Sequence, residues 1–247
     1  MILDRLVDFF AEAFPRADVI AWGALPALAW AYVSLAVAGW LKVRRGLRTG
    51  YTRKIFHFSI FLAAAATQAL WGIQALCVFG GMTSLVVLYA VIRGDGHPLY
   101  EAMAREKDRP RRTLFIVTPY FATLIGGIAA NVIFGDVAVI GYLTAGIGDA
   151  IGEPVGVKFG RYEYRVPSFA RVPARRTYEG SVAVFLGCVA ALAIGLAVVP
   201  SMELNTSPFI VVPVVALVCA VTEAVSPHGW DNLTLQVFPC AAVLLLG

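Results

Sequence analysis

Residues 141–166 read GYLTAGIGDAIGEPVGVKFGRYEYRV. The stretch begins as an apolar run of the kind that crosses a membrane. Asp149 and Glu153 interrupt it before it gives way to a loop rich in glycine and positive charge. A carboxylate at the centre of a bilayer costs about 2.5–3.5 kcal/mol on insertion scales. Two acids four residues apart share one side of a helix. Either this is an ordinary helix end with solvated acids, or a membrane segment carries two carboxylates for a purpose. The rest of the chain decides which kind of molecule it is.

The chain has 247 residues, of which 59% are hydrophobic and only 15% charged. Soluble domains are about half apolar and a quarter charged, and the mean hydropathy of +0.76 lies on the membrane side. A span needs about 20 apolar residues. Candidates fall at roughly 19–41, 55–71, 74–92, 113–131, 137–155, 180–200, 208–226 and 232–247, with a tight corner at Trp71-Gly72 between the second and third. The expected fold is therefore an all-α polytopic membrane bundle of about eight transmembrane helices. Residues 1–18 stand apart from it. Asp4, Asp8 and Glu12 exclude a signal peptide, while Leu3, Leu6, Phe10 and Phe14 recur at helical spacing. This predicts an amphipathic helix in the membrane interface, or one packed on the bundle.

The net charge of +4 could suggest a nucleic-acid partner, but its distribution excludes that reading. Of the twenty Lys and Arg, two precede the first span, and six fall in each of the stretches 42–54, 93–112 and 158–176. None follows Arg176, and the connections at 72–73, 132–136 and 201–207 carry none. With eight spans the three clusters share one side. The positive-inside rule makes that side cytoplasmic and leaves both termini outside. The expected location is an integral protein of a bacterial-type inner membrane. The four cysteines are far apart in apolar segments and form no metal or redox motif.

Chemistry-bearing residues collect near the cytoplasmic boundary. Arg53, Lys54 and His57 open the second span, with His57 one helical turn beyond Arg53. Asp149 and Glu153 would repel one another unless a cation lay between them, and Mg²⁺ takes such oxygen ligands. Lys158, Arg161, Arg175 and Arg176 flank short extended pieces. Thr177, Glu179 and Gly180 then begin an apolar helix. Exposed amides at that N-terminus, beside guanidinium groups, can hold an anion. Glu223 sits inside an apolar run, and Asp231-Asn232 enters the last span. Topogenic charge and helix capping are the plain alternatives for each group.

Taken in order, RKIFH at 53–57, GDAIGEPVGVKFGR at 148–161, RRTYEGS at 175–181 and EAVSPHGWDN at 223–232 resemble the CTP-dependent lipid alcohol kinases, which include dolichol and phytol kinases and the yeast-type diacylglycerol kinase. The resemblance covers about residues 40–247, so that 19–247 reads as a membrane kinase domain. It implies γ-phosphoryl transfer from CTP to a long-chain alcohol drawn from the bilayer. In it Asp149, Glu153 and Asp231 would hold Mg²⁺. Lys158, Arg161, Arg175, Arg176, Thr177 and Gly180 would bind the nucleoside triphosphate, with Glu179 orienting a cation. Arg53, Lys54 and His57 would face the alcohol. The family more often has Lys at the position of Arg176 and a small residue at that of Glu153. The middle motifs are also similar to CDP-diacylglycerol synthases, but SPHGWDN stands at 226–232 in place of the longer acidic signature of those enzymes. A transporter with intramembrane acids is the non-enzymatic alternative.

Overall fold

The computed structural model describes residues 2–168, 174–199, 202 and 204–247. Helix α1 (Ile2–Ala13) ends short of Pro15. Phe10 and Phe14 are exposed, whereas Ala13 is buried; the side chain of Leu3 lies outside the described residues. Helix α2 (Ala17–Arg45) follows. It stops where Gly46 adopts a left-handed conformation, φ 65°, and donates its N–H to the Leu41 carbonyl.

Helix α3 (Thr49–Arg93) contains both the second and third expected spans. At 1.5 Å per residue its 45 residues would reach about twice the thickness of a hydrocarbon core. Gly72, at φ 78° and ψ −172°, breaks it into two arms at the expected corner, in a region of backbone space that favours glycine. A short α4 (Pro98–Glu101) lies in the second basic loop. Then come α5 (Leu114–Phe134), α6 (Ala138–Leu143), a wide π-helical turn at Thr144–Asp149, and α7 (Ala150–Phe159). Helices α8 (Tyr178–Val198), α9 (Pro208–Val225) and α10 (Asp231–Leu246) complete the bundle.

Among the described residues five helical stretches are long and apolar enough to cross a membrane: Ala17–Arg45, Thr49–Arg93, Leu114–Phe159, Tyr178–Val198 and Pro208–Val225. The 16 residues of α10 fall short. Two of the eight expected spans thus merge with their neighbours, because the corners at Gly72 and Gly135 leave the helical run nearly continuous. The structure also adds a hairpin to the all-α expectation. Strands β1 (Glu163–Val166) and β2 (Ala174–Thr177) pair antiparallel in the third basic loop, with Tyr164 opposite Arg176.

One core forms where α6 and its wide turn meet α8, α9 and α10, around Ile140, Leu192, Val215 and Leu235. A second joins α2, both ends of α3 and α4 around Leu35, Phe56 and Tyr100. From the wide turn into α7 the glycines 148, 152 and 156 recur every four residues and face Gly180 and Gly187 of α8. A methyl group on Gly180 would come within 2.9 Å of the Gly152 carbonyl, so only glycine permits this approach. Small residues at such spacing let membrane helices touch backbone to backbone. The seam sets the acids beside α7 against the start of α8.

Candidate functional site

Asp149 ends the wide turn, 4% exposed. A π turn loosens the regular backbone ladder and is frequent at functional sites. The Ala145 carbonyl inside it accepts from His57 Nε2 at 2.9 Å, so the neutral imidazole keeps its lone pair on Nδ1. Lys54, one turn before His57 and equally buried, donates to Asp149 Oδ2 at 2.5 Å, and His57 Nε2 lies 3.4 Å from the same oxygen. The start of the second span thus delivers two of its three basic residues, Arg53, Lys54 and His57, to one carboxylate.

Arg176 comes from β2, held by pairing with β1 and by the start of α8. There Thr177 caps the helix by accepting from the Gly180 N–H at 3.0 Å. Arg176 Nε lies 2.7 Å from Glu223 Oε1, and its Nη2 lies 2.9 Å from Asp231 Oδ2. It also donates to the backbone carbonyls of Glu223 and Ser226. Glu223 belongs to α9 and Asp231 opens α10. Asp149, Glu223 and Asp231 each offer a carboxylate oxygen, and the three oxygens lie within 4.8 Å of one another.

These residues fit a divalent cation. The donors are all hard carboxylate oxygens, and oxygens on opposite sides of a Mg²⁺ ion are separated by about 4.2 Å, twice the usual bond length. Small side-chain movements would bring the set together. Lys54 and Arg176 are the cations that pair with these carboxylates.

Glu153 lies outside that set. It pairs with Arg53 at 2.6 Å and with Arg105 at 3.3 Å. The carboxylate that completes the cluster is Glu223, which α9 carries to the position expected of Glu153. Arg105 also binds Asp108 Oδ2 at 2.8 Å and contacts His228. Burial opposes the charge on both members of the loop pair. It lowers the His228 imidazole, while at Asp108 the neighbouring His228 and Arg105 outweigh it and hold the carboxyl below its usual value.

A cavity of about 500 Å³ opens over these groups. Arg53, Lys54, Asp149, Glu153, Arg175, Arg176, Thr177, Gly180 and Asp231, all expected from the sequence, line it. Lys158, Arg161 and Glu179 do not. Lys158 lies over the Phe159 ring, and Glu179 accepts from the backbone N–H of Arg161 at 3.0 Å rather than orienting a cationic side chain. Arg175 pairs with Glu163 at the exposed edge of the hairpin. Arg105, Lys107, Glu223 and His228 join the lining. Of these, Glu223, an acid inside an apolar run, and His228, within the motif at 223–232, carry a signal in sequence. No family model, curated protein or solved structure matches the chain.

Proposed function

We propose that the protein is a membrane phosphotransferase that moves the γ-phosphoryl group of CTP to the hydroxyl of a long-chain isoprenoid alcohol, with Mg²⁺ as cofactor. One observation carries the reading. Four motifs far apart in sequence converge on a single cavity, where three carboxylates suited to a divalent cation face a set of Lys and Arg suited to a triphosphate. Phosphoryl transfer depends chiefly on positioning and charge compensation, and these are what such a cavity offers.

Asp149, Glu223 and Asp231 would hold Mg²⁺, whose charge offsets that of the phosphates. Arg176, Arg175 and the amides that open α8 would bind the nucleotide. Arg53 and Arg105, fixed on Glu153, would extend the positive wall. Lys54 and His57 hold Asp149 in place at the depth where a lipid hydroxyl arrives. The alcohol oxygen forms a bond to the γ-phosphorus as the bond to the β-bridging oxygen breaks and releases CDP. The alcohol proton passes late in a loose transition state to an oxygen of the transferred phosphoryl group or to water, so no strong base is required.

We place the chain across the membrane eight times, divided at Gly72 and Gly135, with the three basic clusters cytoplasmic and both termini outside. Cysteines introduced at exposed Arg48, Lys107 and Arg165 should label only from the cytoplasmic side of oriented vesicles. Labelling of any of them from the opposite side would refute this arrangement. The reaction is tested with purified protein, γ-labelled CTP and a panel of lipid alcohols, with ATP and other nucleotides as competitors. Label should appear in the lipid. Label-free lipid throughout, or release of pyrophosphate with a cytidylated lipid, would overturn the kinase reading.

A further inference from the structure

A second cavity, of about 440 Å³, lies deeper in the bundle and is walled mainly by carbon. Its lining includes Phe10 of α1, Ile60 and Phe61 of the first arm of α3, Gly80 of the second arm and Tyr120 of α5. A chamber of about 110 Å³ lies between it and the charged cavity and shares walls with both. Ile60, Phe61 and Tyr120 line both chamber and groove, whereas Lys54, Asp149 and Asp231 line both chamber and charged cavity. His57 forms part of the chamber wall. The three spaces therefore run in series through shared walls, from ionic to apolar.

We infer that the apolar groove holds the hydrocarbon tail of the acceptor, and that α1 and the glycines of the second arm of α3 set the length and bulk of tail it admits. The inference rests on the phosphotransfer reading. The occupant that fits is a single-chain amphiphile. Its polar end reaches Lys54, His57 and Asp149, and its chain passes a chamber too small for two tails side by side. At roughly 30 Å³ per methylene-sized group, the groove takes on the order of fifteen such groups. Between Ile73 and Ser84, which both line it, the second arm of α3 rises about 16 Å, so the tail lies along the bundle rather than across it.

Helix α1 takes part because it lies against the groove. Phe9, Phe10 and Phe14 all line it, although Phe10 is 56% and Phe14 76% exposed. Gln74, just past the α3 corner, fastens the end of α1. Its Nε2 donates to the Glu12 carbonyl at 3.1 Å, and its Oε1 accepts from the Arg16 N–H at 3.3 Å. The groove owes its width in part to Gly80 and Gly81, where an added methyl group would meet nothing within 4 Å. Both positions are helical, so a larger side chain there raises helix propensity while filling the space.

The test uses the full-length protein in detergent or nanodiscs, γ-labelled CTP, and prenol, geraniol, farnesol and geranylgeraniol. The wild-type kcat/KM should climb along this series. Gly80→Leu should lower it for geranylgeraniol by at least about tenfold, the effect of losing burial for a few methylenes, and leave prenol within about twofold. Phe10→Asp, at an exposed position, should produce the same length-selective loss. Folded variants with an unchanged chain-length profile would overturn the inference. If wild-type protein phosphorylates no alcohol, the phosphotransfer reading fails by itself. The groove is then read with a diazirine-bearing geranylgeraniol. Crosslinks at Phe10, Ile73 or Leu76 would uphold a tail site, and their absence would overturn it.

Discussion

Lys54 and Asp149 offer the sharpest test of how the bundle tolerates charge. Their side chains are each only 6% exposed and meet at 2.5 Å. Replacing Lys54 with Met keeps the length of the chain but leaves Asp149 beside two other carboxylates with only His57, at 3.4 Å, as a basic partner. Removing one partner of a buried pair costs about 3–5 kcal/mol, because the other charge is left without compensation. At about 2–4 °C per kcal/mol for a chain of this size, the midpoint of thermal unfolding should fall by about 6–20 °C. Lys54→Met combined with Asp149→Asn removes both charges. It should recover most of that loss, since a neutral amide is far cheaper to bury than a lone carboxylate. Unfolding of wild type, both single variants and the double variant in one detergent closes the cycle, and the coupling should reach about 2 kcal/mol or more. On the proposed reaction, both variants lacking Asp149 should turn over at least about a hundredfold more slowly, a barrier of roughly 2.7 kcal/mol, even where stability returns. Additive effects on stability would mean that water screens the pair, and near-normal turnover of the double variant would remove Asp149 from the chemistry.

Arg176→Ala should raise the KM for CTP by about tenfold or more, through loss of a charge-assisted phosphate contact worth roughly 1.5–3 kcal/mol; an unchanged KM would leave Arg176 only the partner of Glu223 and Asp231. Gly156→Ala places a methyl group 2.7 Å from Thr177 Oγ1, and should destabilise the α7–α8 seam by about 1–3 kcal/mol in a thermal-shift measurement; an unaltered midpoint would show that the Thr177 side chain simply rotates away. Burial lowers the His228 imidazole, so below about pH 6.5 the unfolded chain takes up a proton that the folded protein resists, and stability should fall as pH drops through that value. His228→Gln should flatten this part of the profile, and an identical pH dependence in the variant would assign the effect to other groups.

Periodicity and charge placement make most of the bundle legible in the sequence. The Trp71-Gly72 corner, the start of α8 at Thr177 and the end of α7 near the basic loop follow from glycine, threonine and hydropathy patterns that act locally. The partners of the acids are less readable, because pairing depends on how helices rotate against one another. Spacing alone puts Asp149 and Glu153 on one face. They do line one cavity, but one helical turn apart, so Asp149 meets Lys54 while Glu153 goes to Arg53 and Arg105. Glu223 joins Asp149 only because α9 packs beside α8. The role of Arg105 is hidden for a different reason. It sits in a loop with five other cations at 93–112, where membrane topology alone explains positive charge.

The wide turn at Thr144–Asp149 has a consequence for tolerance to length changes. A π turn houses one more residue than a regular turn of the same helix. Deleting a single residue there should let the helix close into regular α geometry, with α6 and α7 keeping the faces they now turn to their neighbours. Such a deletion in an ordinary helix would rotate everything beyond it by about 100°, given 3.6 residues per turn. The carboxylate is therefore mounted on a slack link in an otherwise taut span, and a one-residue deletion is a perturbation of its position that spares the surrounding scaffold.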